Sequence, residues 1–310
     1  MPGASVTWST RARTRSTFIL SQKENNVSDN TCGMAFFLFL LCVLASGNAL
    51  GADAAKKEPS AAEKKAVESA ELIEKFAAWK ATLSPEQQAW ETILEENLGA
   101  FYLPIYQREK IAGKVTAWDY VNDVPALPRV LLIGDSVSRG YTLAVRKQLE
   151  GIANVHRAPE NCGPTSNGLK KLDVWLGEGN WDVIHVNFGL HETRTPLADY
   201  TQRLDAIVTR LQATGATLIW ASTTPIPEDW KNRPGQSEVI VKLNEAAAGV
   251  MQRHQVPIDD LYGLALPQLK EIQNPQDIHF KADGYELLGR QVAASIASQL
   301  SVRKAHTKEQ

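Results

Sequence analysis

From residue 129 onward, short apolar segments alternate with longer amphipathic ones, and this alternation most restricts how the chain can fold. Five short segments rich in aliphatic residues predict strands at 129–133, 152–156, 182–187, 216–221 and 256–259. Between them, apolar residues recur every three or four positions, as in Leu197, Tyr200, Leu204, Ile207 and Leu211. Alternating strands and helices are typical of a parallel sheet with crossover helices. We therefore predict an α/β domain at 129–302 with a flavodoxin-like, doubly wound parallel sheet of about five strands, followed by a tail at 303–310.

A helical pattern precedes this domain. One predicted helix face carries Leu72, Ile73, Phe76, Trp79 and Leu83, and a second carries Trp90, Ile93, Leu94 and Leu98. Between the two, Ser84 is a predicted N-cap, with Pro85 in the first helical position and Gln87 three residues after the cap. We predict a helical appendage at 62–128, and its aromatic residues are interpreted as packing surface.

The first 51 residues have the pattern of an export signal. The uninterrupted apolar run AFFLFLLCVLA at 35–45 is followed by small residues, which is typical of a signal peptide and its cleavage zone. An uncleaved anchor or a buried helix is the alternative, and Met34 is a candidate start. The Lys- and Ala-rich stretch at 52–61 is interpreted as a tether. The expectation is an exported protein, periplasmic or secreted, with no stable membrane span after processing.

The charge and the cysteine count narrow the classes of partner. The chain has a net charge of -2 and no long run of basic residues, which argues against nucleic acid and anionic membranes as partners. Only Cys162 follows the predicted signal, so a disulfide framework is not expected. The histidines lack the spacing of a metal site, and no cofactor or metal is predicted.

The first predicted strand runs directly into Gly134-Asp135-Ser136-Val137-Ser138. In doubly wound sheets, functional groups collect at the carboxyl ends of the strands. Either serine is a candidate N-cap for a helix at about 139–150, and Ser136 is also a candidate nucleophile. Both roles are compatible, because a helix N-terminus offers free N–H groups to an oxyanion. The glycine-rich patterns of dinucleotide and nucleotide-phosphate sites are absent from the sequence.

Gly134-Asp135-Ser136 resembles the first conserved block of the SGNH hydrolases, also called GDSL esterases and lipases. The resemblance covers about 129–300 and implies Ser136 as nucleophile, with its N–H in the oxyanion hole. In the family's second block a glycine N–H joins that hole, and Gly163 in ENCGPTSNG is the best match, with Gly168 the second choice. The third block has Gly-x-Asn-Asp, whereas this chain has Gly189-Leu190-His191-Glu192. His191 stands where the donor Asn is expected, and Asn187 is the weaker substitute.

The resemblance also implies a histidine base between the last strand and the last helix, where NPQDIHFKADG places His279. The family has an Asp three residues before this His, a position that Gln276 occupies here, whereas Asp277 lies two residues before it. Asp277 can hold the far ring nitrogen if the loop turns suitably, since such triads are recognised by geometry. Otherwise Ser136 and His279 form a dyad, with Gln276 or a backbone carbonyl orienting the ring.

These residues predict hydrolysis of a carboxylic ester, with short acyl groups favoured and acetyl groups on carbohydrate as the expected substrate. The expected partner is therefore a small-molecule or glycan ester. Two alternatives stay open. The altered third and fifth blocks are compatible with a non-catalytic glycan-binding module on the same scaffold, and a lipase or lysophospholipase is the other possibility.

Overall fold

The computed structural model describes residues 60–228, residue 230 and residues 235–308. All of them belong to one compact unit. The predicted signal segment at 1–51 and nearly all of the predicted tether lie outside the described residues. Within the described ranges, no helix is both long and apolar enough to cross a membrane.

Three helices precede the sheet: α1 (Ala61–Lys80), α2 (Pro85–Asn97) and α3 (Gly99–Ile111). Ser84 caps α2 as predicted, because its side chain accepts the N–H of Gln87 while the Gln87 side chain accepts the N–H of Ser84. A small core joins the helices to the segment that follows them, and it contains Phe76, Leu94, Leu98, Tyr106 and Trp118. The predicted face of α1 is wrong at Ile73, which is 58% exposed, because Phe76 carries the packing of that helix.

Five parallel strands form the sheet: β1 (Arg129–Ile133), β2 (Asn154–Arg157), β3 (Val183–Val186), β4 (Thr217–Ala221) and β5 (Ile258–Asp259). Their order is β2-β1-β3-β4-β5, which is the flavodoxin-like order, so the predicted fold class is confirmed. Val130 pairs with Val155 on one side of β1 and with Val183 on the other. Residues 130–133 are at most 1% exposed, as expected for a parallel strand covered on both faces.

The helices after β1 are α4 (Ser136–Gln148), α5 (Thr165–Leu176), α6 (Leu197–Gln212), α7 (Gln236–His254), α8 (Leu261–Ala265), α9 (Leu269–Ile272) and α10 (Ala282–Lys308). Helices α4 and α10 pack against each other and the sheet, while α5, α6 and α7 form a second packed group. The chain moves from β1 to β2 in one direction and from β2 to β3 in the other, which places right-handed crossovers on opposite faces.

Two boundaries differ from those expected. Helix α4 begins at Ser136, about three residues earlier than predicted, because Asp135 supplies the cap. Helix α10 continues to Lys308, beyond the predicted end of the domain at 302. The boundary between the appendage and the α/β domain stays a prediction, since both lie in the same compact unit.

The switch point of the sheet lies between β1 and β3, where the strand order reverses its direction across the sheet. In doubly wound sheets, ligands bind at the carboxyl ends of the strands at such a switch point.

Candidate active site

Ser136 is the first residue of α4, immediately beyond the end of β1. The Asp135 side chain caps the helix, with its Oδ1 accepting the N–H of Val137 at 2.9 Å. The interpretation of Ser136 or Ser138 as the cap is therefore wrong, since a carboxylate one residue earlier accepts that bond. Ser136 is only 6% exposed, and because its hydroxyl does not cap the helix, that hydroxyl is available to bond another side chain.

That partner is His279, which arrives on the loop between α9 and α10. Its Nε2 lies 2.9 Å from Ser136 Oγ, and its Nδ1 lies 2.8 Å from Asp277 Oδ1. The Asp277 oxygen also accepts the backbone N–H of His279 at 3.3 Å. The structure thus brings Ser136, His279 and Asp277 into one hydrogen-bonded series.

The loop conformation explains how a two-residue spacing reaches the ring. Gln276 has a φ of +55°, which turns the chain sharply before Asp277. Asn274 closes the turn, since its N–H donates to the His279 carbonyl at 3.0 Å and its carbonyl accepts the N–H of Asp277 at 3.2 Å. The left-handed residue occupies the position at which the family keeps its Asp, and the carboxylate one residue later meets the imidazole.

Arg157, at the end of β2, supports the turn formed by Gly134, Asp135 and Ser136 from inside the protein, and this turn is called the nucleophile turn after its candidate nucleophile, Ser136. Its Nη2 donates to the carbonyls of Gly134 and Asp135 at 3.0 and 2.9 Å, and its Nη1 donates to Ser138 Oγ. The side chain is 1% exposed. A buried guanidinium with several carbonyl acceptors fixes the turn that carries Ser136. Sequence reasoning missed this residue, since nothing local marks an arginine that ends a strand.

The loop after β2 brings Gly163 to the same turn. The N–H of Cys162 donates to the Gly134 carbonyl at 3.2 Å, so the next residue lies beside the nucleophile turn. Gly163 has a φ of +65°, which glycine adopts without strain. Gly168, the second choice for this role, lies inside α5, where a Cβ would approach Phe188 within 2.9 Å. The close contact with Phe188 therefore explains why residue 168 is a glycine.

The two candidate side-chain donors have different surroundings. Asn187 follows β3, and its amide donates to the Ala221 carbonyl at 2.8 Å and to Thr223 Oγ1 at 3.1 Å. Both hydrogens of that amide are therefore engaged by the fold. His191 lies in the short 3₁₀ helix Leu190–Glu192 with an exposed side chain. Of the two, His191 is the residue whose ring N–H is free to meet a ligand.

Glu192, a second residue that sequence reasoning missed, links these two loops. It is fully buried, and its Oε1 accepts the backbone N–H of Thr165 at the start of α5. This bond ties the loop of His191 to the loop of Gly163. The signal available in the sequence was its place as the last residue of the third block, where the family has an acid.

The remaining candidate groups have structural surroundings. Cys162 is buried, and burial raises the pKa of its thiol to about 12, so the thiol stays protonated and unreactive at neutral pH. Within the described ranges, no three His, Cys, Asp or Glu side chains are grouped so as to hold a metal ion.

A serine at the end of the first strand of a doubly wound sheet, within reach of a histidine before the last helix, defines a class of hydrolases. Residues 132–287, just over half of the chain, match the model of the GDSL-like lipase/acylhydrolase family, and the chain belongs to this family. The family resemblance inferred from the motif blocks is therefore confirmed. No curated protein matches the sequence.

Several solved structures are similar to this chain. A lipase/acylhydrolase from Enterococcus faecalis is 21% identical, and the match covers 56% of this chain and 96% of that one with a TM-score of 0.50. An acetyl xylan esterase is 14% identical over 54% of this chain and 99% of its own, with a TM-score of 0.48. A variant of an acetylxylan esterase from Geobacillus stearothermophilus is 12% identical over 55% and 94%, with a TM-score of 0.48.

Proposed function

We propose that this protein is a serine ester hydrolase that cleaves short acyl esters, with acetyl groups on carbohydrate as the expected substrate. The observation that carries the proposal is the continuous hydrogen-bonded series from Ser136 Oγ through His279 to Asp277. A hydroxyl, an imidazole and a carboxylate in this order are the parts that acyl transfer needs.

In the proposed reaction, Ser136 Oγ attacks the ester carbonyl carbon while His279 Nε2 takes the hydroxyl proton. Asp277 accepts the Nδ1 hydrogen, which fixes the tautomer and stabilises the imidazolium. The tetrahedral intermediate collapses, and the alcohol leaves with the proton from His279. A water then attacks the acyl-enzyme, again losing its proton to His279, and the acid departs as Ser136 recovers its hydrogen.

Three donors are proposed for the oxyanion. As the first residue of α4, Ser136 has an N–H without a helical acceptor. The N–H of Gly163 is the second donor. His191 is the third, in preference to Asn187, because the amide of Asn187 already donates to Ala221 and Thr223. Donors aimed at the developing charge lower the barrier of acyl transfer.

The loop that carries His279 borders a groove with room for more than an acetyl group. The groove has a volume of about 900 Å³, and it is lined by apolar side chains such as Leu266 and Leu269 as well as polar ones such as Gln273 and Asn274. The polar side chains suit a sugar that carries the ester, and the apolar ones also suit the acyl chain of the lipase alternative. The comparison of acyl lengths is therefore the test that separates the two.

The test is hydrolysis of 4-nitrophenyl acetate, butyrate and octanoate and of an acetylated oligosaccharide by the purified protein. We expect turnover of the acetyl esters and labelling by a fluorophosphonate, both abolished in Ser136→Ala. Ser301→Ala on the exposed surface of α10 is the matched control and is expected to keep both. No serine-dependent turnover would instead indicate a glycan-binding module. A preference for octanoate would indicate a lipase or lysophospholipase.

We also propose that the protein is exported, on the strength of the apolar run at 35–45 and the small residues after it. Expression of the full chain in a bacterial host, followed by fractionation and mass determination of the mature N-terminus, tests this. Cleavage within 46–52 supports export, and an intact N-terminus in the cytosol contradicts it.

A further inference from the structure

Arg139 lies on α4, three residues after Ser136. On an α-helix this spacing places it about 4.5 Å further along the axis and on nearly the same side. Side chains of a helix lean toward its N-terminus, which here is the end that carries Ser136. Helix geometry therefore favours a course of the Arg139 side chain toward Ser136, and Trp118 contacts the guanidinium groups of both Arg139 and Arg157, the arginine that donates to the turn before Ser136.

Aromatic residues from the N-terminal segment hold this guanidinium. Its central carbon lies 5.3 Å from the centroid of the Tyr102 ring and 5.4 Å from that of Trp118. The two rings meet edge to face at 5.4 Å, so they form a fixed surface beneath the cation. Ring faces attract a cation, but they leave the N–H groups of a guanidinium without acceptors.

Arg139 is half-buried, and among the described residues no acceptor lies within hydrogen-bonding distance of its guanidinium. Its Nε is fully buried and unpaired. By contrast, Arg210 pairs with Asp173 at 2.6 Å, and Arg157 donates to backbone carbonyls through its Nη2, although its Nε is also unpaired. The terminal N–H groups of Arg139 therefore have only water as acceptor in the part of the chain that the structure describes, and an anionic ligand would give them charge-assisted hydrogen bonds.

Tyr285 connects Arg139 to the loop that carries His279. Its ring covers Gly140, where a Cβ would approach within 2.0 Å, and it contacts the Phe280 ring at 5.9 Å. Burial raises the pKa of Tyr285 to about 12, while the charges of Arg139 and Asp277 act on it in opposite directions. The unpaired arginine and the candidate base loop thus flank the same tyrosine.

We propose that Arg139 binds an anionic group of the substrate, a carboxylate or a sulfate, close to the ester that Ser136 cleaves. The proposal rests on the proposed function, because the anion belongs to the ester substrate. The planar fork of a guanidinium matches the paired oxygens of such groups. An anion site beside the ester narrows the proposed substrate class to acylated acidic sugars, such as O-acetylated uronates or sulfated glycans.

Matched pairs of small esters test this. We would compare 3- and 4-acetoxybenzoate with the corresponding acetoxybenzamides, and acetoxybenzenesulfonates with the corresponding sulfonamides. The first pairs represent a carboxylate and the second a sulfate. Because the intrinsic reactivity of each pair is the same for every variant, a change in the ratio of kcat/KM between its members reports recognition of the anion.

We expect the wild type to prefer the anionic member, and Arg139→Met to lower the anionic-to-neutral ratio about tenfold or more, mainly through KM. Arg139→Lys keeps the charge but not the fork, and we expect an intermediate ratio. Arg290→Met removes an exposed arginine of α10 and is expected to leave the ratio unchanged. The preferred pair identifies the anion.

Three results would overturn the proposal. If Arg139→Met hydrolyses both members of each pair as the wild type does, anion recognition is refuted and the esterase is left intact. An equal loss on both members of a pair means that Arg139 only supports its aromatic neighbours. If the wild type hydrolyses none of the esters, the esterase proposal itself fails, and the anion site fails with it.

Discussion

In the sequence, Asp277 and Gln276 are both candidates for the group that orients the His279 ring, and the conformation of the loop decides between them. The Asp277 carboxylate lies 2.8 Å from His279 Nδ1, while Gln276 provides the left-handed turn that brings it there. The family's spacing points to position 276, whereas the need for a carboxylate points to Asp277. The difference lies in a single backbone angle, which no pattern of side-chain types reveals.

We expect Asp277→Asn to lower kcat by about 10²–10⁴ on a short acyl ester, because an amide at this place favours the wrong tautomer of His279. The measurement is steady-state hydrolysis of 4-nitrophenyl acetate at neutral pH. Gln276→Gly is the matched control, since glycine keeps the positive φ without strain, and kcat should change little. If Gln276→Gly were the inactive variant and Asp277→Asn the active one, the assignment would be reversed.

His191 stands where the family has Asn, and an imidazole N–H can replace an amide N–H as a single donor. We expect His191→Asn to keep activity and His191→Ala to lower kcat by about 10²–10³, the usual cost of losing one oxyanion donor. Asn187→Ala is the comparison. Because its amide links the ends of β3 and β4, its loss should lower the melting temperature more than kcat.

Arg157 illustrates a positioning residue that acts through the backbone. Replacement by Met removes the Arg157 hydrogen bonds to the carbonyls of Gly134 and Asp135, at a cost of about 1 kcal/mol for each bond, because these carbonyls keep the N–H groups of Cys162 and Arg139 as donors. We expect both a lower melting temperature and slower fluorophosphonate labelling of Ser136, measured where the variant is fully folded. Arg157→Lys should restore part of the labelling rate.

Arg146→Met is the matched control for Arg157. Arg146 is also an inward-facing arginine, but it donates to the carbonyls of Val155 and Thr116, away from the nucleophile turn. The Arg146→Met variant should be less stable than the wild type, while fluorophosphonate labelling of Ser136 should proceed at the wild-type rate. Equal slowing in both variants would show that Arg157 has only a general structural effect.

At the scale of the elements, helix α2 contains a buried carboxyl group. Glu91 is 2% exposed and accepts the Tyr106 hydroxyl on both carboxylate oxygens, at 2.7 and 2.8 Å. Burial raises the pKa of Glu91 from 4.5 to about 7, partly offset by the hydrogen bond from Tyr106 and the charge of Lys110. The folded protein therefore binds a proton that the unfolded chain releases between pH 4.5 and about 7.

Because the folded state holds the extra proton, the contribution of Glu91 to stability falls as pH rises through this window and levels off above it. We expect the melting temperature of the wild type, relative to Glu91→Gln, to decrease between pH 5 and pH 8. Gln keeps an acceptor for Tyr106 but does not titrate. Glu86→Gln is the control, since hydrogen bonds lower the pKa of that exposed residue and no slope is expected above pH 5.

The elements themselves were largely predictable. All five strands lie within or beside the predicted segments, and the central strands β1, β3 and β4 are almost wholly apolar because helices cover both faces of the sheet there. The boundary of α4 was predicted three residues late, since either serine or Asp135 satisfies the local rules for a cap. Arg157 and the rings around Arg139 were not predictable, because their partners lie on distant segments and no local pattern marks them. Glu192 was marked by its place in the third block, but that place does not reveal its bond to Thr165.

At the scale of the whole molecule, the N-terminal helices are joined to the α/β domain at the nucleophile side. Trp118, which follows α3, lies against the guanidinium groups of Arg139 and Arg157 at 5.4 and 5.9 Å. Arg146 donates to the Thr116 carbonyl at 3.2 Å. The interpretation of these aromatic residues as packing surface is therefore incomplete, since Trp118 also contacts Arg157, which holds the turn that carries Ser136.

Removing 60–123 should therefore affect more than stability. Compared with a chain of residues 60–310, a chain of residues 124–310 exposes Arg157 to water, loses both rings beneath Arg139 and leaves Arg146 without the Thr116 carbonyl. We expect a lower melting temperature and a lower kcat on 4-nitrophenyl acetate. Trp118→Leu in the 60–310 chain separates the two effects, because it keeps a buried apolar side chain but removes the ring. If Trp118→Leu labels with a fluorophosphonate as fast as the parent, the helices stabilise the domain without shaping the site.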